Sequence, residues 1–515
     1  MKDLRQYLLS LLSRKAFWEL LFWILLIFNL LPVLSVDHFY TGDGPAHLYN
    51  AQVIRWLLLD AGGPWSDFFE LRKELIPNLG GHVLLSMLLA VFSPLWAEKL
   101  LYILIMLLTA TGFRYALAHR SLQLSVIGIL AMPLLQHFCI YIGFQSFSLG
   151  MAIMLWCVAL HSRSGREAHW RSQLLLSGLL LICAFCHPVP TLVFVGYFVL
   201  HSVARGVAFR KNAWKQFLIL IPACLLVLLF VGREGKGEEW AFPKSIDQWH
   251  SLLDLQPIIA HHLVDQAPAA RLYALSLLLA SVFVLIWRKP VQTGHRALIL
   301  TALAMGTAYF LLPPSWATGG FIHVRILLCA LFFWALWLGY QLASRALIWR
   351  LFLLPVIAAN IMLVTYNLRE AKYHDKRAAL LMQAADHIPE GAVIVPLNYS
   401  QHWLHYNIGL YPSALRKSVN LDNYEAYEAH FPVKWKEGMA PAVRLGPFGA
   451  SRNPAFALEP YESETGMQVE AVLACFDMEF TGADSTTAAT KALLEAHFSR
   501  SSAGEGYSLW LRNND

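Results

Sequence analysis

The chain has 515 residues, 57% hydrophobic and 14% charged, against about 45–50% apolar and about 25% charged in soluble globular domains; a single soluble domain is excluded. The net charge of +6 divides near residue 369, with 13 basic and 18 acidic residues beyond that point and 27 and 16 before it. An apolar, basic body followed by a tail of ordinary soluble composition puts the excess positive charge in cytoplasmic loops rather than a nucleic-acid patch, and no nucleic-acid motif is present.

In chain order, the first apolar run, 17–36, follows Lys2, Arg5, Arg14 and Lys15, which places the N-terminus in the cytoplasm. It has no small-residue cleavage site and reads as a retained anchor rather than a signal peptide. A first outer loop, 37–81, comes next. The run 82–92 is too short to span alone and is expected as a tilted or half-membrane helix, with a full crossing as the alternative. Further spans are expected near 95–118, 121–137, 141–161, 173–187, 189–204, 216–232, 270–287, 297–313, 322–341 and 347–366. Basic clusters at Arg114 and Arg120, Arg163 to Arg171, Arg205 to Lys215, Arg288 to Arg296, and Arg345 and Arg350 mark inside loops. The expected fold is a polytopic α-helical membrane protein of about eleven spans (1–368) with a small C-terminal extracytoplasmic α/β domain (369–515). Within that domain the patterns predict helices at 375–387 and 486–497 and strands at 392–396, 469–476 and 507–512.

Six of the seven cysteines lie in apolar runs, so no disulfide framework is suggested. Cys183-Ala-Phe-Cys186-His187 spells the haem-attachment pattern, but inside an apolar run, where helix packing is the plainer reading.

The most informative segment is the first outer loop, where Asp37, His38, Tyr40, Asp43, His47 and Tyr49 gather just past the first span. Gly42 and Gly44 flank Asp43, which would allow an unusual turn and close approach of a ligand. Pro45 then starts a helix expected over 46–59. Such a carboxylate suits a general base or a metal ligand; alternatively it caps the helix while the histidines line the interface. Further along, His82 opens an apolar helix where it would meet a phosphate or simply pack, Gln145 lies in an outer turn, and His187 ends a span. His323 and Arg325 stand at the outer mouth of a late span. An Arg there is costly unless it snorkels or finds a partner, and its planar fork suits phosphate. The loop 233–265 is long enough to act as a lid, and its His261-His262 pair lacks the spacing of a helical zinc site.

On Gly42-Asp43-Gly44-Pro45-Ala46-His47 and the polytopic body with a soluble tail, the chain resembles the GT-C class of integral membrane glycosyltransferases. That resemblance implies an inverting transfer from a polyprenyl-phosphate sugar donor to an extracytoplasmic lipid, glycan or protein acceptor. It implies Asp43 as catalytic base; by their placement on the same outer face, Asp37, His38, His47, His82, Gln145, His187, His323 and Arg325 are expected to bind substrate, with Arg325 holding the lipid phosphate. It also implies a bacterial inner-membrane location, with the C-terminal domain outside and helping to bind acceptor. The loop lacks the paired adjacent acids many members carry; a divalent ion near Asp43 stays open, and no metal ligand is assigned. The alternatives are a transporter or flippase of a lipid-linked or anionic substrate, favoured by an internal repeat or mid-span carboxylates, and a non-catalytic scaffold.

Overall fold

The computed structural model describes residues 15–60, 62–117, 122–163, 169–206, 214–234, 245–286, 293–315, 319–342, 348–400, 402–442, 457–476 and 485–513. The expected lid loop lies partly outside these. In lipid, a free backbone N–H or C=O has no partner, so apolar runs close their hydrogen bonds as helices. A helical element lies at each expected interval: Lys15–Leu34, Pro94–Leu117, Leu122–Gln136, Gln145–Arg163, Trp170–Cys186, Pro188–Ala204, Trp214–Phe217 continuing to Ile221–Glu234, Leu263–Ile286, Thr293–Leu311, Ile322–Leu342 and Ile348–Met382. Seven helices are long and apolar enough to cross a membrane by length and composition. The apolar helices at Ile127–Gln136, Trp170–Cys186, Pro188–Ala204 and His295–Leu311 are shorter. Among the described residues those seven meet both criteria, and the other four expected spans coincide with the shorter helices. The short helix expected at 82–92 is Gly80–Leu88.

The chain divides into two compact units, one division falling at Arg369/Glu370. One unit comprises Met1–Ser35, Tyr102–Ile140 and Gln145–Arg369 and is helical. A chain of buried amides links several of its helices. Asn29 Nδ2 donates to Asn360 at 3.1 Å and Gln136 Nε2 to the Asn29 carbonyl at 2.9 Å. Asn367 Nδ2 donates to Gln136 at 3.0 Å and Gln266 Nε2 to Asn367 at 2.8 Å. Such amide chains fix helix register where the hydrophobic effect between helices is weak. Cys183 and Cys186 are buried within their helix, and Cys183 Sγ donates to the Gly150 carbonyl at 3.3 Å, the packing role rather than an exposed haem attachment.

The other unit comprises Val36–Leu101, Tyr141–Phe144 and Glu370–Asp515, so the first loop clusters with the C-terminal part. Its strands are β1 (Phe69–Leu71), β2 (Val393–Asn398), β3 (Val419–Asn420), β4 (Val433–Trp435), β5 (Ala471–Cys475), β6 (Phe498–Gly504) and β7 (Tyr507–Arg512). Five form one sheet in the order β3-β2-β5-β7-β6, with β2 parallel to β3 and β5 and the β6–β7 hairpin antiparallel. β2 and β5 are buried almost throughout, as parallel strands covered on both faces must be. The mixed sheet with helices is the α/β arrangement expected. β1 and β4 pair antiparallel in a separate ribbon, with Phe69 opposite Trp435.

Candidate active site

Pro45 in the first turn starts the helix Gly44–Leu59, which is buried along most of its length. Its far side chains anchor it. Tyr49 Oη donates to the Ser418 carbonyl at 3.1 Å and accepts from the Asn420 N–H at 2.9 Å. Asn50 and Asn423 exchange amide hydrogen bonds of 2.8 and 2.9 Å. Asp43 precedes this helix, yet its side chain makes no capping hydrogen bond to the first turn.

The carboxylate is held instead from outside the helix. Asn407 Nδ2 donates to Asp43 Oδ1 at 3.0 Å and to the Gly42 carbonyl at 3.0 Å. The Gly42 and Asp43 N–H groups donate to the carbonyls of Tyr141 and Ile142 at 2.9 and 2.8 Å. From His38 to Ala51, Asp43 alone is not buried. The Tyr424 phenol is pushed well up by its own burial first and then by the negative charge of Asp43, to which it also hydrogen-bonds.

Three glycines permit the close packing, though Gly42 and Gly44 do so without positive φ and against protein rather than ligand. Gly143 has φ +94°, and a Cβ there would stand 2.7 Å from the Asp43 nitrogen. A Cβ on Gly44 would stand 2.3 Å from Glu98 Oε1 and 2.4 Å from Thr41 Oγ1. Glu98 is buried, and its other oxygen accepts from Tyr411 Oη at 2.7 Å.

One turn into the helix, His47 Nδ1 lies 2.6 Å from Glu425 Oε1, and His82 Nε2 lies 2.8 Å from Glu425 Oε2. Burial alone would raise the Glu425 carboxyl, but the two imidazoles reverse that and hold it down at about 2. For His47 burial pulls downward and Glu425 pulls upward, leaving the imidazole raised. These three residues also form one of two groups, among the described residues, whose donor atoms lie within 4.8 Å of one another. His38 Nδ1 and backbone N–H both meet Asp375 Oδ1, at 2.9 and 2.8 Å, whereas Asp37 is exposed.

The remaining expected residues belong to the helical unit. Arg325 and His187 come together, with the Arg325 Nη1 to His187 Nε2 distance 2.6 Å. Both are buried, and the guanidinium stands 5.6 Å from the Phe147 ring centre. Arg325 is thus packed against a partner instead of snorkelling. Gln145 is buried and donates to Tyr102 Oη at 3.1 Å. His323 is half-buried with its ring 5.8 Å from Tyr309. Asn407, Tyr411, Tyr424 and Glu425 escaped the sequence reading, since nothing local marks a tail residue as a partner of a loop more than 300 positions away. Glu98-Lys99 did carry a signal, two charges opening an apolar run.

No family model matches the chain, and no curated protein matches it. Among solved structures it is similar to ArnT from Cupriavidus metallidurans in the apo state, with TM-score 0.55 and 12% identity over 96% of this chain and 97% of that one. At that identity the likeness is one of fold.

Proposed function

We propose that the chain is a membrane glycosyltransferase. It moves a sugar from a polyprenyl-phosphate donor to a hydroxyl of an extracytoplasmic lipid, glycan or protein, with inversion, and Asp43 is the general base. The fold supports the class, because the chain aligns over nearly its whole length with ArnT, and its Asp43 loop resembles the GT-C class. The observation that carries the reading is Asp43 itself: a carboxylate free of any capping duty, oriented by Asn407, and the one residue left accessible in a buried stretch. A base needs that combination of fixed geometry and access to the acceptor proton. As that proton leaves, the hydroxyl attacks the anomeric carbon, and the bond to the phosphate oxygen breaks on the opposite face.

The departing phosphate needs positive charge. We assign that role to Arg325 in the helical unit, where His187 and Phe147 hold a guanidinium whose planar fork matches phosphate. If a divalent ion acts near Asp43, its donors are His47, His82 and Glu425, two imidazoles and a carboxylate that suit a transition ion. Bound there it would supply Lewis acidity; without it the three residues neutralise one another as a buried ion pair.

The test is Asp43→Asn in reconstituted vesicles. The amide keeps the shape and the bond to Asn407 but cannot take a proton, so donor should still bind while transfer falls below detection. Near-normal transfer would remove Asp43 as the base.

A further inference from the structure

A second histidine cluster lies in the same unit, apart from the carboxylate pairs above. His374 comes from the end of the helix Ile348–Met382, and His402 and His405 come from the short turn at Trp403–His405. Their donor nitrogens all lie within 4.8 Å of one another. We propose that His374, His402 and His405 form a binding site for a divalent transition ion of the zinc class, held by three imidazole nitrogens with a further position open to water.

The outward-facing nitrogens carry the argument. His405 Nδ1 lies 2.8 Å from Ser400 Oγ, and His374 Nε2 lies 3.6 Å from Glu370 Oε2. Metal-binding histidines characteristically donate their remote N–H to a hydroxyl, carbonyl or carboxylate, which fixes the tautomer and turns the other lone pair inward. In the tautomers that place each ring's proton on its outer nitrogen, His374 Nδ1 and His405 Nε2 present lone pairs to each other across 3.0 Å. Two lone pairs at that distance repel unless a shared proton or a cation lies between them. His402 completes the group, its ring 4.7 Å from that of His374 and 4.9 Å from that of His405.

Charge separates this cluster from the other. Between His47 and His82 a carboxylate bridges both rings; within the present trio no acid takes that place. Three imidazole ligands suit zinc, copper or nickel rather than magnesium or calcium, and three protein ligands with one open position is a familiar zinc arrangement. Tyr40 adds a polar group to the same wall. Its hydroxyl is buried without a hydrogen-bond partner, and its ring lies 5.6 Å from His405 and 6.2 Å from His374.

The site does not depend on the reaction assigned to Asp43, so its test needs no turnover. The full chain, purified in detergent without a polyhistidine tag and stripped with chelator, is titrated with Co²⁺ and then Zn²⁺. Ligand-field absorption from Co²⁺ should appear and be displaced by zinc. His405→Gln and His402→Gln should abolish it while His47→Gln keeps it. Glu370→Gln, which leaves all three ligands in place, should weaken zinc about 10- to 100-fold. Where His405→Gln fails to fold, His402→Gln, at the half-buried position, decides the point. Absence of Co²⁺ bands in the parent chain, or bands unchanged in His402→Gln, would overturn the proposal.

Discussion

At the scale of single residues the chemistry rests on which polar groups are paired. Arg325→Lys separates a planar fork from a simple positive charge. Losing one charge-assisted hydrogen bond costs about 1.5–3 kcal/mol, about 10- to 150-fold at about 1.4 kcal/mol per decade, and should appear in donor binding or turnover with thermal stability near that of the parent. Unchanged donor kinetics would release Arg325 from the phosphate. Glu425 makes a pH prediction. Its folded value, about 2, lies below the ordinary 4.5, so its contribution to stability is present above 4.5 and lost as pH falls toward 2. His47 is raised above 6.5, so its contribution is present below 6.5 and lost as pH rises through its folded value. The pair should therefore stabilise most between 4.5 and 6.5. Melting in detergent against pH should show a maximum there that flattens in Glu425→Gln; Glu425→Ala, which strands two buried imidazoles, should cost about 3–5 kcal/mol in the same window. Identical pH profiles in the parent and Glu425→Gln would contradict the pairing.

Among the elements, the loop carrying Asp43 is fixed by close approach, and glycine substitutions probe it. Gly143→Ala combines a left-handed backbone, which costs about 1–3 kcal/mol when strained, with a Cβ against Asp43; melting temperature and transfer should both fall. Gly178→Ala, in a helix with open space around it, should leave both unchanged and serves as the control. Equal behaviour of the two variants would mean that the loop does not depend on that contact. The same elements mark how far sequence carries. Long apolar runs and the alternation at 507–512 were readable because each has its own periodicity, and the closing strand is observed at Tyr507–Arg512. β1 and β4, three residues each, have no period to read and exist only through pairing with each other. The expected break between 366 and 375 is absent: one helix, Ile348–Met382, runs through it because neither Gly nor Pro interrupts that stretch. Asp43 was legible from its glycines and its place after the first span, whereas Asn407 and Glu425 acquire meaning only once the tail folds back onto the loop within one unit.

For the whole molecule, we place the loop around Asp43 and the tail on the outer side of the membrane from the charge pattern. Reporter fusions at Arg166 and Asn398 should therefore report opposite sides, and two cytoplasmic reports would undo that topology. The central claim is chemical: the sugar–phosphate bond of a lipid-linked donor is broken and remade on an acceptor. A transporter would carry the same substrate across intact. The most direct measurement reconstitutes the parent chain and Asp43→Asn in vesicles with polyprenyl-phosphate sugars labelled in both lipid and sugar, then follows the two labels in the presence of a cell-envelope acceptor extract. The account predicts that the parent chain releases polyprenyl phosphate in step with sugar appearing on acceptor in the inverted configuration, and that Asp43→Asn does neither while still binding donor. Labels that change sides of the vesicle but stay joined, equally in both proteins, would contradict it.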